Sequence, residues 1–290
     1  MGPLARLHVN DKDRTVFQDA VFSGLKIYPV IDNLTSYGTF ELAFSREKPN
    51  PSTERSTNDD QRTFLKRSLR EREVSDGCKA YTGILGALYS GPYKVVLIDE
   101  PEAFLHPPLA RALGKQIAEQ ARARNIYVAT HSADFLMGAV ESRVSVRIVR
   151  LQYQDGVATA CMLDSDDLKQ FMTDPLLRSA NVLSGLFAQS VVVTEADTDR
   201  AFYQEINTRL LTEGKGRRIE NAVFLNAQNK QTVPRIVGLL RKMGVPAAGI
   251  VDLDVVAEGR TPWVIKWREL GFQVPCDYHS SRCARQPLTT

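Results

Sequence analysis

Apolar and polar positions change rhythm several times along the chain, and each change predicts an element. Residues 1–60 are the least regular. Val16 to Tyr28 mixes apolar and polar positions without a clean period, and Phe40 to Phe44 alternates as a strand does. Residues 46–62, REKPNPSTERSTNDDQR, are polar, contain two prolines, and read as an exposed loop. Arg62 to Glu73 predicts a charged helix, and Asp76 to Tyr89 a second helix opened by Ser75 as its cap. Val95 to Ile98 is a continuous apolar run, the pattern of a strand buried on both faces. A helix over Pro107 to Arg124, a strand over Ile126 to Thr130 and a helix over Ala133 to Val140 follow. Strand–helix–strand alternation predicts a parallel sheet with crossover helices.

Two alternating runs then flank Asp155-Gly156, which predicts a hairpin at the edge of the first domain. Residues 164–187 read as a helical connector. A second alternation begins at Ser190: strand Val191 to Thr194, helix Asp197 to Leu211, strand Ala222 to Leu225, helix Gln231 to Met243 and strand Ala248 to Val251. The 290 residues suit about two domains at ~150 residues each. The expected division is a first domain over 1–165, a connector over 166–187, a second domain over 188–275 and a tail over 276–290.

Composition adds little. Thirty-seven Lys and Arg against 34 Asp and Glu leave a net charge of +3, too small to argue for nucleic acid without a local basic face. No apolar run is long enough to span a membrane, and the N-terminus lacks a signal-type apolar core. Four irregularly spaced cysteines fit a reducing compartment, so a cytoplasmic setting is expected. Cys276, His279 and Cys283 only loosely resemble a zinc-ligand run, and a loose C-terminus is the preferred reading.

The chemistry lies at strand ends. Val95 to Ile98 runs into Asp99 and Glu100. A carboxylate there can hold a Mg²⁺ bridging nucleotide phosphates, and a second can orient or deprotonate an attacking water. Val74-Ser75-Asp76-Gly77 opens a helix upstream, Phe104 to Pro107 follows, and Thr130-His131-Ser132 ends the next strand. Each residue alone has an ordinary explanation: a strand end, a helix cap, a core histidine. In this order they resemble the ABC-type ATPase family. The resemblance implies that Ser75 and Gly77 belong to a signature loop contacting ATP held by the opposite protomer, that Asp99 and Glu100 form the Walker B pair, that Phe104 to Pro107 is the D-loop, and that His131 senses the γ-phosphate. The family's Gly-x-x-x-x-Gly-Lys-Ser/Thr phosphate loop is not found in these 290 residues: the Gly-Lys pairs at 114–115 and 214–215 both lack it.

A second acidic set sits in the later alternation. Glu195 and Asp199 are four apart at a helix start, and Asp252 and Asp254 follow the last strand. Carboxylates converging at one sheet edge repel each other, and Mg²⁺ or Mn²⁺ offsets the repulsion. Two such ions can clamp a phosphodiester displacement. A flavodoxin-like domain with acidic strand ends is the plain alternative. The spacing resembles the Toprim domain over about 188–275. That resemblance implies Glu195 as metal ligand or general acid/base, Asp252 and Asp254 as metal ligands, and Asp199 as the extra acid of nuclease members. Asn226 to Lys230 lacks the family's usual glycine. Lys230 or Lys266 could supply a cation for phosphate.

The expected fold class is therefore α/β, a partial ABC-type ATPase lobe followed by a Toprim-like Rossmannoid domain with a parallel sheet. The combination resembles the OLD (overcoming lysogenization defect) family. It implies an ATP-gated, metal-dependent DNA endonuclease working as a homodimer or larger assembly, in phage defence or DNA repair. The basic turn Lys215 to Arg218 and the run Arg62 to Arg72 are candidate DNA contacts that also read as solvated surface. Two rivals stand beside this reading. One is a regulatory or DNA-binding ATPase-like subunit. The other is a fragment needing a partner chain that supplies the Walker A lobe.

Overall fold

The structure is a computed structural model that describes residues 2–34, 39–51, 53–154, 156–163, 182–214, 216 and 218–252. The chain divides into two units, Met1–Arg147 and Ile148–Thr290.

The first unit opens with helices α1 (Pro3–Val9) and α2 (Asp11–Leu25), the latter capped by Asn10, whose side chain accepts from the Asp13 N–H. Strands β1 (Tyr28–Asp32), β2 (Glu41–Ser45) and β3 (Leu69–Arg70) form an antiparallel sheet, with Ala43 opposite both Val30 and Arg70. Helix α3 is shorter than the expected charged helix, spanning Asp59–Arg67 with Asn58 as its cap. The chain then turns extended at β3 and makes a single 3₁₀ turn, Glu71–Glu73. The charged pattern of 62–73 therefore does not continue as helix; Leu69 and Arg70 pair with β2 instead, and Glu73 accepts from the Arg70 N–H.

Helix α4 (Asp76–Ser90) begins where expected, with the Ser75 hydroxyl accepting from the Cys78 N–H. Then come β4 (Val95–Asp99), α5 (Pro107–Gln120), β5 (Asn125–Ala129) and α6 (Ala133–Glu141), the last capped by Ser132. Strands β4 and β5 are parallel, Asp99 opposite Ala129. The core gathers Leu7, Phe17, Val21, Ile31, Tyr81, Leu85, Leu113 and Phe135 from helices and β1, with Val96, Ile98, Ile126 and Val128 packed on it.

One expectation fails here. Strand β4 is covered on one face only. Val95, Leu97 and Tyr127 are 56%, 78% and 62% exposed, while their sequence neighbours face the core. A continuous apolar run satisfies a two-face reading whether or not both faces are covered.

The polar stretch 46–62 holds a second departure. Glu54 is fully buried, and its carboxylate takes the Arg14 Nε (2.9 Å) and the Gln18 amide (2.7 Å). Arg14, also fully buried, reaches the His8 carbonyl (2.9 Å) and Asp11 (2.7 Å) as well. Burial pushes the Glu54 carboxyl up, and the adjacent guanidinium opposes that rise. The stretch is thus fastened to α2 at Glu54, while most of its described residues are exposed as the pattern predicts.

The second unit starts with the hairpin β6 (Ile148–Gln154) and β7 (Val157–Leu163). Gln154 stands opposite Val157 and Gly156 takes φ +82°, as Asp-Gly predicts. The hairpin is fastened within this unit, although its sequence suggested the edge of the first domain. The Arg150 guanidinium donates to the carbonyls of Leu186 (2.9 Å), Ala188 (3.2 Å) and Gly244 (3.1 Å). The connector 164–181 lies outside the described residues, and Val182–Phe187 is 3₁₀.

Strand β8 (Ser190–Thr194), helix α7 (Asp197–Glu213), strand β9 (Ala222–Asn226), helix α8 (Thr232–Lys242) and strand β10 (Ala247–Ile250) complete the described fold. The sheet is parallel, ordered β10-β8-β9, with Thr194 opposite Ile250 and Asn226. Val191, Val192 and Val193 are buried at its centre, with Val233, Ile236, Val237 and Leu240 of α8 also buried. Both units are α/β with parallel strands, as the alternation predicts.

Candidate functional sites

Three turns meet at the carboxyl edge of β4 and β5. The first is Ser75-Asp76-Gly77 at the start of α4. The second runs from Glu100 to Phe104. The third is Thr130-His131-Ser132. Gly77 explains one contact: a Cβ there would lie 2.7 Å from the Phe104 carbonyl oxygen. Only a residue without a side chain lets the second turn approach the helix start so closely. The second turn is itself strained, with Glu100 at φ +42° and Phe104 at φ +68°. Its start is held by the Glu100 N–H donating to the Ala129 carbonyl (2.9 Å).

Asp99 and Glu100 are exposed, as phosphate-facing carboxylates would be. The His131 Nδ1 lies 3.3 Å from Glu100 and 3.5 Å from Glu102. Glu102 is the functional candidate that the sequence reading missed. It is only 7% exposed, and one oxygen accepts from the Thr130 hydroxyl (2.6 Å) and the His131 N–H (3.1 Å). Its other oxygen is buried without a hydrogen-bond partner. Three acids within Asp99-Glu100-Pro101-Glu102 were the available signal. The structure therefore brings Ser75, Gly77, Asp99, Glu100 and His131 to one edge. A shallow cavity lined by Glu102, Phe104, His131, Ser132 and Asp134 opens there.

This edge suits the γ-phosphate end of a nucleotide: a helix start, a histidine and exposed carboxylates. With no phosphate loop in the 290 residues, it does not by itself suit a whole nucleotide.

The second edge is built by β8 and β10. Because Thr194 stands opposite Ile250, Glu195 and Asp252 leave neighbouring parallel strands at the same end. The Glu195 Oε2 is buried and has no hydrogen-bond partner. Such an atom costs free energy unless a donor or cation meets it, and a hard oxygen suits Mg²⁺ or Mn²⁺. Asp252 is exposed. Asp199 caps its own helix, one oxygen accepting from the Ala196 N–H at 3.3 Å. The neighbouring Asp197 is bound by Arg200 (2.7 Å), which holds its carboxyl below the usual range. Among the described residues, no three His, Cys, Asp or Glu side chains are grouped closely enough to hold a metal. Asp254 lies outside the described residues, as do Lys215, Arg217, Lys266, Cys276, His279 and Cys283. Arg218, from the basic turn, pairs with Glu220 (3.1 Å).

The glycine missing from 226–230 has a structural counterpart. Gln228 takes φ +66°, the conformation a glycine would adopt freely, and its N–H donates to the Asn226 side chain (2.7 Å). Lys230 sits in the same turn before α8. Among the described residues, no helix is long and apolar enough to cross a membrane.

Comparisons with known proteins divide along the same lines. Residues 32–138 match the domain family described as "AAA domain, putative AbiEii toxin, Type IV TA system". Residues 186–254 match the TOPRIM domain of overcoming lysogenization defect protein-like chains. A curated relative, Endonuclease GajA of Bacillus cereus (strain VD045), is 25% identical over 118 residues, 41% of this chain. The match covers 20% of that relative, so the chain matches about a fifth of its length. Among solved structures, the Smc head bound to the C-winged helix domain of ScpA is 17% identical with a TM-score of 0.40, covering 56% of this chain and 44% of that one. The Pyrococcus furiosus Smc head with an extended coiled coil is 14% identical with a TM-score of 0.41, covering 56% and 37%. The chain thus joins an AAA-type ATPase domain to an OLD-like TOPRIM domain, in the order that its resemblance to the OLD family implies.

Proposed function

We propose that this chain is the cleaving part of a metal-dependent DNA endonuclease of the OLD type, controlled by its AAA-type domain. The observation that carries the reading is the second sheet edge. Glu195 and Asp252 leave adjacent parallel strands together, and a buried Glu195 oxygen lacks a partner. Glu195, Asp199, Asp252 and Asp254 would hold Mg²⁺ or Mn²⁺. A bound divalent ion supplies charge stabilisation to a phosphodiester under attack. Glu195 has the burial and freedom to hold or move a proton at its Oε2. Asp199 orients the start of α7 by capping it, which sets its remaining oxygen relative to Glu195.

In the first unit, Ser75, Gly77, Asp99, Glu100 and His131 would meet the γ-phosphate of ATP. The missing phosphate loop means that we derive no hydrolysis step for this chain alone. The bare face of β4 and β5 favours a second reading, in which a partner lobe carrying that loop covers Val95, Leu97 and Tyr127. On that reading the chain is a regulatory or DNA-binding subunit until its partner joins it. A homodimer or larger assembly, a phage-defence or DNA-repair role and a cytoplasmic setting extend the same proposal.

The test is nicking of supercoiled plasmid in Mg²⁺ or Mn²⁺, with and without ATP. Cleavage by the wild-type chain that is lost in both Glu195→Ala and Asp252→Ala supports the nuclease. No cleavage by a folded chain under any condition, restored by adding a partner with a phosphate loop, supports the second reading.

A further inference from the structure

We propose that Glu102 is a positioning residue: its buried carboxylate holds the turn after β5 and thereby sets the His131 imidazole beside Glu100. The proposal rests on the nucleotide reading of the first sheet edge given above.

Glu102 lies midway along a turn whose ends are both fixed. Glu100 is tied to the parallel ladder through Ala129, and Phe104 is pressed on Gly77. Two residues of this turn, Glu100 and Phe104, hold left-handed conformations, which persist only when surrounding contacts over-determine them. Glu102 is one such contact. Its Oε1 accepts from two consecutive residues of the other turn, the Thr130 hydroxyl and the His131 N–H. Thr130 passes the constraint on, since its hydroxyl oxygen accepts from the Ser132 N–H (3.0 Å). Ser132 in turn caps α6 through the Phe135 N–H (3.2 Å). The backbone carrying His131 is therefore held from both sides.

Stability alone is a poor reason for this carboxylate. Burying a charge costs free energy unless it is fully partnered, and the Glu102 Oε2 has no partner. What the carboxylate adds is position: it holds the backbone that carries the His131 Nδ1 3.3 Å from Glu100, a carboxylate proposed to meet the γ-phosphate. Glu102 touches no substrate in this scheme and acts through His131.

The test reads His131 directly. The full chain has four histidines, so ring-nitrogen resonances can be assigned with His131→Asn as the marker. Glu102→Ala and Thr130→Val are each expected to shift the His131 ring signals. Thr130→Ser, which keeps the hydroxyl and every charge, is expected to leave them in place. The His8 and His106 signals serve as the check that each variant is folded. A purely structural Glu102 would lower the melting temperature of Glu102→Ala without moving His131, and that result overturns the proposal. If Glu102→Ala does not fold, Thr130→Val decides: unmoved His131 signals in that variant also overturn it. Adding magnesium and a non-hydrolysable ATP analogue to the wild-type chain tests the underlying reading separately. Silence of His131 there counts against nucleotide at this edge while leaving the comparison of variants to judge Glu102.

Discussion

The two parallel sheet edges present acids in different ways. At the end of β4, one oxygen of Glu102 is hydrogen-bonded across to the next turn while its other oxygen is unpartnered, and the exposed Glu100 lies beside His131. At the end of β8, a carboxylate oxygen of Glu195 is buried with nothing bonded to it. The sheets differ in the same sense. Strand β8 lies between β9 and β10 with its valines buried, whereas β4 and β5, among the described residues, pair only with each other and leave one face bare. The first edge has a finished turn on an uncovered sheet. Among the described residues, the second has a buried central strand that runs into an acid with no cross-turn bond at its buried oxygen. A protein that senses at one edge and cuts at the other would be built this way, since a sensor needs fixed geometry and a metal site needs open oxygens.

The contrast can be broken or sharpened by measurement. The largest effect is expected for Glu195→Ala, which should lower plasmid nicking by about 10²-fold or more, while Glu102→Ala leaves metal-dependent nicking without ATP within a few-fold. Equal losses from the two variants would erase the distinction between the edges. Next comes stability in denaturant without metal. Glu102→Ala should cost about 2 kcal/mol, because it strands two donors. Glu195→Gln should cost nothing or stabilise by about 1 kcal/mol, because it removes the charge from a half-buried carboxylate whose buried oxygen has no partner. The sheets separate in the same assay. Val193→Ala should cost about 2 kcal/mol, and Leu97→Ala less than about 0.5 kcal/mol. A large cost for Leu97→Ala would mean that its face is covered after all. The smallest effect is expected for Gln228→Gly, which should gain about 0.5–1 kcal/mol by relieving a left-handed backbone. A loss instead would show that the Gln228 side chain supports its turn.

Much of the second unit was legible because its alternation is regular and its punctuation strong. Asp155-Gly156 announced the hairpin and its register, and the strands from β8 to β10 fell close to their expected bounds. The first 60 residues were not legible, for a physical reason. Helix α2 buries Arg14 and Gln18 as well as Phe17 and Val21, so its buried face is not an apolar stripe. Their partner Glu54 sits in a stretch whose prolines and polar residues all suggest solvent. No periodicity reveals a buried charge whose partner is 40 residues away. Asp99, Glu100, Glu195 and Asp252 were legible as acids that follow apolar strands, and the parallel registers put each pair at a strand end. Glu102 escaped because Asp99 and Glu100 already explained the motif. The burial of β4 on one face only escaped because an apolar run looks the same whether its second face is covered or bare.

The knot around Glu54 also bears on how this chain tolerates changes of length. Residues 46–58 look like a connection that could be trimmed or replaced between relatives without consequence. Shortening it past Glu54 would leave the Arg14 guanidinium inside the unit with its remaining bonds to the His8 carbonyl and Asp11, and without the buried counter-charge that offsets its burial. Deletion of that one residue therefore requires Arg14 to change with it.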